Sequence, residues 1–286
     1  MHATPESLPT STVAIDLAKD VFELAFADAH GRIVERRRLS RRAFASALDN
    51  REPLQVVMEA CGSAHCWARR FQRTGHRVQL LPAHDVRPYV RRNKTDRADA
   101  AGLLEAARCG AIHAVPVKTP QQQGVQGLHR VREHLKAQRT AAINLLRGLL
   151  REFGVIIPLG SAKVRPAVLS ALEDADNELP MALRETLKAL LDTMKTTEKD
   201  MLAIEDRLQA FADADPRSQR LQCAGGVGLI TATALSASIG DFDRFPSGRR
   251  FASSLGLTPR EHSSGSKRRL GRVTKRGDIY LTCPQS

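Results

Sequence analysis

Four carboxylates occupy positions from which they could share one site. Asp16 stands at the end of a predicted strand, and Glu59 stands at the end of another. Asp96 and Asp99 open a predicted helix, where residues three apart share one face. Because strand ends of an α/β sheet face one crevice, we expect the four side chains to converge. Their oxygens suit Mg²⁺, or Mn²⁺, and two such ions could activate an attacking oxygen and stabilise the leaving one.

Each carboxylate also has an ordinary structural explanation. Asp16 could be a turn residue, and Asp96 beside Thr95 could favour the helix dipole. Glu59 weakens these explanations as a set, because it closes the apolar run Val56-Val57-Met58, where a carboxylate is costly to bury without a metal or partner. Basic residues around the helical pair add a surface for phosphates, namely Arg91, Arg92, Lys94 and Arg97.

A second constellation lies in a basic field near the C-terminus. Ten Lys or Arg residues and one acid, Glu261, lie between Arg244 and Arg276. Within this field is the polar turn Pro259-Arg-Glu-His-Ser-Ser-Gly265. A serine attacks a phosphate only when its proton is removed and cations stabilise the charge. His262 is a candidate base, and the candidate phosphate clamps are Arg260, Lys267, Arg268, Lys275 and Arg276. The residues alone leave a phosphate-binding loop and a catalytic serine both open.

Composition limits the classes of function. The 286 residues carry a formal net charge of +13 and a pI near 10.1, an excess that indicates a polyanionic partner, with nucleic acid as the first candidate. Five scattered cysteines without a C-x-x-C pair favour a reduced, intracellular protein. Neither a signal segment nor about 18 continuous apolar residues is present. We therefore expect a cytoplasmic protein without a membrane partner.

Residues 1–117 have the pattern of an α/β domain. Strands are predicted at Thr12–Ile15, Val21–Ala27, Arg32–Leu39, Leu54–Met58 and Val78–Leu81, and helices after Ser40 and at Ser63–Thr74. The Asp28-Ala-His-Gly31 turn makes the first three strands an antiparallel meander. Three hairpin strands followed by crossover strands and helices is the order of ribonuclease-H-like folds.

Residues 118–215 are predicted to be helical. Thr119-Pro120 starts a helix that continues to Phe153. A later segment has the apolar spacing of a coiled coil, at Leu187, Leu190, Met194, Thr197, Met201, Ile204, Leu208 and Phe211. This spacing predicts one continuous helix, within either a dimerisation stalk or an intramolecular bundle.

Residues 216–286 are expected to form a small α-helical domain. The turn Ala224-Gly-Gly-Val-Gly228 precedes a helical segment, as in a helix-hairpin-helix element. Backbone N–H groups at Gly226 and Gly228 could hold a phosphate there, although such turns also serve packing alone.

Three segments together resemble one family. Val13-Ala-Ile-Asp-Leu-Ala-Lys-Asp20, Asn93-Lys-Thr-Asp-Arg-Ala-Asp-Ala100 and Gly256-Leu-Thr-Pro-Arg-Glu-His-Ser-Ser-Gly265, followed by Lys275-Arg-Gly277, are similar to DEDD transposases of the insertion sequence one-ten family. The resemblance implies a RuvC-like domain with Asp16, Glu59, Asp96 and Asp99 as a metal-binding tetrad. It also implies a coiled coil, a C-terminal transposase domain with Ser264 as nucleophile, and a guide RNA that pairs with donor and target DNA. We further expect a homo-oligomer, either a dimer or a tetramer.

Two segments depart from the family pattern. Gly225 stands where the family more often has proline. After Tyr280 a basic helix is expected, but the chain reads Leu281-Thr-Cys-Pro-Gln-Ser286, in which proline cannot continue a helix. A copy truncated in its transposase domain is therefore expected.

The resulting hypothesis is recombination through attack of Ser264 on a DNA phosphodiester, assisted by metal at the tetrad. The choice of Ser264 over Ser263 follows the family pattern of serine directly before glycine. One alternative is a structure-specific nuclease that uses metal-activated water, with a C-terminus that only binds DNA. Another is an inactive nucleic-acid-binding remnant.

Overall fold

The structure is a computed structural model that describes residues 10–90, 96–265, 267–274, 277 and 279–282, without the side chains of residues 96, 97, 279 and 282. The chain divides into two units, Met1–Thr119 and Pro120–Ser286. The expected boundary within the second unit, at residue 215, stays a prediction.

A five-stranded mixed sheet forms the centre of the first unit. Its strands are β1 (Thr10–Asp16), β2 (Val21–Asp28), β3 (Ile33–Ser40), β4 (Gln55–Glu59) and β5 (Arg77–Leu81), in the order β3-β2-β1-β4-β5. The first three strands are antiparallel, and β4 and β5 run parallel to β1. This topology confirms the expected meander and is consistent with a ribonuclease-H-like domain.

Helices cover both faces of this sheet. The helices are α1 (Arg41–Ala45), α2 (Ala64–Arg73), α3 (Ala83–Val86) and α4 (Asp96–Ala107), with a 3₁₀ turn at Arg87–Tyr89. On one face an aromatic cluster of Phe22, Phe44, Trp67 and Phe71 packs α1 and α2 against the strands. On the other face α4 packs over small residues of β1 and β2. The small side chains let this helix approach the strands that end at the candidate carboxylates.

Two long antiparallel helices form the framework of the second unit. Helix α5 (Pro120–Glu152) and helix α7 (Met181–Ala214) flank α6 (Val164–Glu173), which follows a 3₁₀ turn at Ser161–Lys163. Ion pairs Arg132–Glu205 and Arg139–Glu198 fix the antiparallel register. The predicted continuous helix is confirmed, and its seam packs within this one chain. The buried members are Leu187, Met194, Met201, Ile204 and Leu208, while Leu190, Thr197 and Phe211 are half-buried.

The last part of the chain contains strands as well as helices. Helices α8 (Pro216–Gln222), α9 (Leu229–Ile239), α10 (Gly248–Ser254) and α11 (Ile279–Thr282) accompany a hairpin of β6 (Pro259–Glu261) and β7 (Leu270–Val273). The expectation of an α-helical domain was wrong at this hairpin. Its strands are short and polar, so they lack the apolar alternation that marks a strand in sequence. No helix among the described residues is long and apolar enough to cross a membrane.

Candidate active site

Two of the four candidate carboxylates end adjacent parallel strands. Asp16 is the last residue of β1 and Glu59 is the last residue of β4, and their predecessors Ile15 and Met58 are paired in register. Because side chains alternate between the two faces along a strand, Asp16 shares the face of Ala14 on β1, which is the face that α4 covers. Glu59 lies on the same face by the same alternation. Adjacent strands are about 4.8 Å apart, so the two carboxylates can share one bound cation.

The third carboxylate, Asp99, reaches this edge of the sheet through the direction of α4. The end of α4 lies at the β2–β3 turn, because the Arg108 side chain packs against Gly31. That turn stands at the opposite end of the sheet from Asp16, since the start of β1 pairs with the end of β2. The first turn of α4 therefore points toward the strand ends. Asp99 is half-buried in that turn, next to the fully buried Ala100.

The fourth carboxylate and its basic neighbours fall largely outside the described part of the chain. Asp96 begins α4, but its side chain is not described, and the same holds for Arg97. Arg91, Arg92 and Lys94 lie outside the described residues. Among the described side chains, which exclude that of Asp96, no three His, Cys, Asp or Glu groups lie close enough to hold a metal ion. The shared tetrad therefore stays a prediction.

Sequence reasoning missed a further carboxylate at this edge. Glu23 on β2 pairs directly with Asp16 in the antiparallel ladder, so the two side chains share one face. Glu23 is half-buried. The short loop between β1 and β2 was the available signal, because a tight antiparallel connection places residues equidistant from it opposite each other.

A cysteine lies beside the strand-end carboxylates. The Cys61 N–H donates to the main-chain oxygen of Glu59, over 2.8 Å. Burial, and to a smaller extent the Glu59 carboxylate, raise the pKa of the Cys61 thiol. Cys61 therefore stays protonated at neutral pH and adds no charge to the site.

The candidate serine lies at the tip of the β6–β7 hairpin. Ser264 and Lys267 are paired through both main-chain hydrogen bonds, of 3.3 and 3.2 Å. Gly265 has a φ of +57° in this tight turn, a conformation that costs glycine little. The described residues of the hairpin are exposed, including Ser264 itself, Arg260 and Lys267. The predicted polar turn is thus the end of a hairpin that projects into solvent.

The two adjacent serines differ in their hydrogen bonds. Ser263 Oγ donates to Glu261 Oε1 over 2.7 Å and accepts from the Arg269 N–H over 3.1 Å. Ser264 Oγ makes no hydrogen bond within the described residues. Ser263 therefore stabilises the hairpin, while the Ser264 hydroxyl remains available to a substrate.

Charge around the serines is only partly neutralised. The hydrogen bond from Ser263, and then the positive charge of Arg268, lower the pKa of Glu261. Arg268 is 3.4 Å from that carboxylate, so it serves the hairpin as well as any phosphate. The exposed His262 donates its main-chain N–H to the Arg269 oxygen over 2.9 Å. Lys275 and Arg276 lie outside the described residues.

A glycine turn joins α8 to α9, as the sequence predicted. Gly226 has a φ of +84°, and the Val227 N–H donates to the Ala224 oxygen over 3.1 Å. Gly228 precedes α9 without a side-chain cap. Space around Gly226 and Gly228 is open to beyond 4 Å where a Cβ would stand. Because Gly228 provides no side-chain cap, the first N–H groups of α9 could donate to a phosphate oxygen.

Two family models match the chain, one over the carboxylate region and one over the hairpin region. A DEDD family model described as "Transposase" matches residues 13–155, which include the strand-end carboxylates and α4. A second model, described as "Transposase IS116/IS110/IS902 family", matches residues 218–283, which include the hairpin.

Similar curated proteins cover most of the chain. The probable family 20 transposase of Pseudomonas aeruginosa is 43% identical over 275 residues, which is 95% of this chain and 80% of that protein. The transposase for insertion sequence element IS1111A of Coxiella burnetii is 37% identical, over 94% of this chain and 74% of its own length. The transposase for insertion sequence element IS1328 of Yersinia enterocolitica is 36% identical, over 94% and 80%.

Proposed function

The chain belongs to the IS116/IS110/IS902 family of transposases, enzymes that cut and rejoin DNA, and we propose that it acts through a metal-binding carboxylate site and a nucleophilic serine. The family resemblance inferred from the sequence is thereby confirmed. The main support for this mechanism is that Asp16 and Glu59 end adjacent strands on the sheet face that α4 covers, and that Asp99 lies in the first turn of α4. Half-buried carboxylates in such a group repel one another unless a cation lies between them.

Asp16, Glu59, Asp96 and Asp99 would hold Mg²⁺ or Mn²⁺. These hard ions prefer carboxylate oxygens, which are the only donors in this set. A bound metal would help to remove the nucleophile's proton and would stabilise charge on the reacting phosphate and the leaving oxygen. The strand pairing and the packing of α4 fix the main-chain positions of Asp16, Glu59 and Asp99 before any substrate binds. Little reorganisation is then needed when the reaction begins.

Ser264 would be the nucleophile. Its Oγ forms a bond to phosphorus, and the bond from phosphorus to the leaving sugar oxygen breaks, which gives a phosphoserine ester and a free sugar hydroxyl. The serine proton passes to a base, for which His262 is the nearest candidate in sequence. The protonated base then gives its proton to the leaving sugar oxygen. In the second step a strand hydroxyl loses its proton to the same base and attacks phosphorus, and the displaced Ser264 oxygen recovers a proton from that base. Ser264 is preferred over Ser263 because the Ser263 hydroxyl is already bonded within the hairpin.

DNA is the expected substrate, and exposed cations would hold its backbone. Lys267 is paired with Ser264, Arg260 lies farther along the same hairpin on β6, and the N–H groups of the turn at Gly226 and Gly228 would offer a second phosphate contact. We include Arg91, Arg92, Lys94, Arg97, Arg268, Lys275 and Arg276 in this surface. By family resemblance a structured guide RNA would pair with the DNA, and the protein would act as a dimer or tetramer.

A structure-specific nuclease is the second candidate. It is favoured by the fact that Asp16, Glu59, Asp96 and Asp99 all lie in the first unit, Met1–Thr119. Such an enzyme would cut with metal-activated water and would leave no protein on the DNA. The exposed hairpin would then only bind phosphate.

The distinguishing experiment incubates the full chain with DNA carrying its flanking element ends, element RNA and Mg²⁺. We expect strand cleavage together with a DNA-linked protein band on a denaturing gel. Cleavage without that band would favour the nuclease, and binding without cleavage would indicate an inactive remnant. The Coxiella burnetii relative, assayed with insertion sequence element IS1111A, serves as the positive control for the assay conditions.

A further inference from the structure

Three strand carboxylates of the first unit, Asp16, Glu23 and Glu59, belong to a cross-strand row that begins with an arginine. In the β1–β2 ladder Asp16 pairs with Glu23, and in the β2–β3 ladder Glu23 pairs with Arg38. Directly opposite residues share a face, with Cβ atoms about 5 Å apart. Arg38, Glu23, Asp16 and Glu59 therefore follow one another across four strands on the same face of the sheet.

The neighbouring arginines on the opposite face have structural partners. Arg37 and Arg51 both pair with the Glu35 carboxylate. Arg51 also stacks 4.2 Å above the Phe26 ring. These contacts account for the two cations as part of the packing of β3 against the aromatic face.

Arg38 has no such explanation. Within the described residues its side chain makes no ion pair and no hydrogen bond, even though Glu23 lies directly opposite it. Its side chain is exposed on an edge strand. Placing an unpaired guanidinium at the end of a row of carboxylates gives no stability to the fold, since exposed arginines contribute little. It does place a positive charge on the same sheet face as the candidate carboxylates.

We propose that Arg38 binds a phosphate of the nucleic-acid backbone next to the phosphate that reacts at the carboxylates. This role rests on the carboxylate site proposed above. Arg38 is two strand spacings, about 10 Å, from Asp16. Phosphates recur about every 3.4 Å along the axis of each strand, so a backbone seated at Asp16 brings other phosphates within reach of Arg38. Its planar fork can hold two oxygens of one phosphate, which would fix the register of the strand.

The test compares Arg38→Gln with Arg42→Gln in the full-length protein. Arg42 is an exposed arginine of α1, so both variants lose one charge from the same region. Binding to labelled duplex DNA and to duplex RNA of the same sequence is measured across a salt series, and Mg²⁺-dependent cleavage is measured on element-end DNA. Circular dichroism checks that both variants fold alike.

Arg38→Gln should slow cleavage about ten- to a hundredfold and reduce the slope of log affinity against log salt by about one. Arg42→Gln should change cleavage by less than about twofold. Arg38→Lys should restore the salt slope but only part of the rate, because lysine cannot hold two oxygens in one plane. A slope change confined to the DNA arm identifies the phosphate as DNA, and one confined to the RNA arm identifies it as RNA. A change in both arms indicates a site that accepts either backbone.

Asp16→Asn distinguishes a failure of the proposed role of Arg38 from a failure of the proposed carboxylate site. If it abolishes cleavage while Arg38→Gln behaves like Arg42→Gln in every arm, the role of Arg38 is wrong and the carboxylate site stands. If Asp16→Asn leaves cleavage unchanged, the carboxylate site fails, and the role of Arg38 beside it fails too.

Discussion

The two candidate reactive regions differ in how the fold supports them: one lies at the edge of a packed sheet and the other on an exposed hairpin. Asp16 and Glu59 end strands of a sheet whose two faces are both packed, and they are half-buried. Ser264 is at the tip of an exposed two-stranded hairpin that local hydrogen bonds maintain. A core can fix carboxylates before substrate arrives, whereas an exposed serine needs its substrate to complete its surroundings. The first region is therefore expected to depend on packing, and the second on phosphate binding.

The largest expected effect is loss of cleavage on removing one carboxylate charge. Asp16→Asn should reduce the cleavage rate by about a thousandfold or more, because metal assistance supplies several kcal/mol to the transition state. Raised Mg²⁺ should restore part of the rate, since the change weakens metal affinity. A cleavage time course over a Mg²⁺ series measures both effects.

Asp20→Asn is the matched control, because Asp20 is an exposed residue of the loop that follows β1. Its cleavage rate should stay within about twofold of the unaltered protein. Equal losses in the two variants would show that charge in this loop region matters, rather than the strand-end position.

The next largest effect is a loss of stability in the second unit when a charge is placed in the buried face of α7. Met201 is 7% exposed in the seam of α7, while its neighbour Leu202 is 62% exposed. Met201→Asp buries an unpaired charge, so it should lower the free energy of unfolding by about 3–5 kcal/mol, whereas Leu202→Asp should change it by less than about 0.5 kcal/mol. Urea unfolding followed by circular dichroism compares them. If Met201→Asp lowered the free energy of unfolding no more than Leu202→Asp does, the Met201 side of α7 would face solvent.

Low pH is expected to reduce the free energy of unfolding of both units, through one buried histidine in each. Burial lowers the pKa of His65 and of His129 to about 4, below the value of about 6.5 in an unfolded chain. Between these pH values the unfolded chain binds more protons, so stability is full above pH 6.5 and falls as the pH drops toward 4. Each histidine can contribute up to about 3 kcal/mol to this loss.

His129 gives the sharper test, because its Nδ1 is 2.7 Å from Tyr280 Oη and its Nε2 is 3.1 Å from Thr233 Oγ1. Unfolding of His129→Gln, measured at pH 7 and pH 4.5, should show a smaller difference than the unaltered protein. His30→Gln changes an exposed histidine and should leave the difference as it was. An unaltered pH dependence in His129→Gln would exclude its burial in the neutral form.

The smallest effect lies within the hairpin itself. Ser263→Ala removes the hydrogen bond that chiefly lowers the pKa of Glu261, so that pKa should rise toward its ordinary value. Ser264→Ala should leave the pKa of Glu261 unchanged, because Ser264 makes no bond to it. Titration followed by nuclear magnetic resonance measures both variants. A rise in the Ser264 variant would show that the two hydroxyls have been assigned the wrong roles.

Most of the first unit could be predicted from sequence because its strands are short apolar runs with clear turns. The strand predicted at Leu54–Met58 is Gln55–Glu59, and the one at Arg32–Leu39 is Ile33–Ser40. Shifts of one residue arise because hydrogen bonding, rather than side-chain type, sets where a strand ends. The helices α5 and α7 could be predicted equally well, since their apolar spacing persists over many turns.

The parts that escaped prediction depend on pairing between distant residues. Glu23 joins the row only through its register with Asp16, and the β6–β7 hairpin forms from polar strands around Gly265. Apart from the family pattern of serine before glycine, the chemistry of the sequence does not distinguish Ser263 from Ser264 either. Their difference comes from Glu261 and Arg269, which the hairpin brings to one serine alone.

The most direct test of the central claim is to locate the protein–DNA bond. The full chain is reacted with element-end DNA, element RNA and Mg²⁺, then digested, and the nucleotide-bearing peptide is fragmented in a mass spectrometer. We expect a phosphodiester remnant on Ser264, which is absent in Ser264→Ala and present in Ser263→Ala. A remnant on Ser263, or one that survives loss of both serines, would contradict the assignment of Ser264 as the nucleophile.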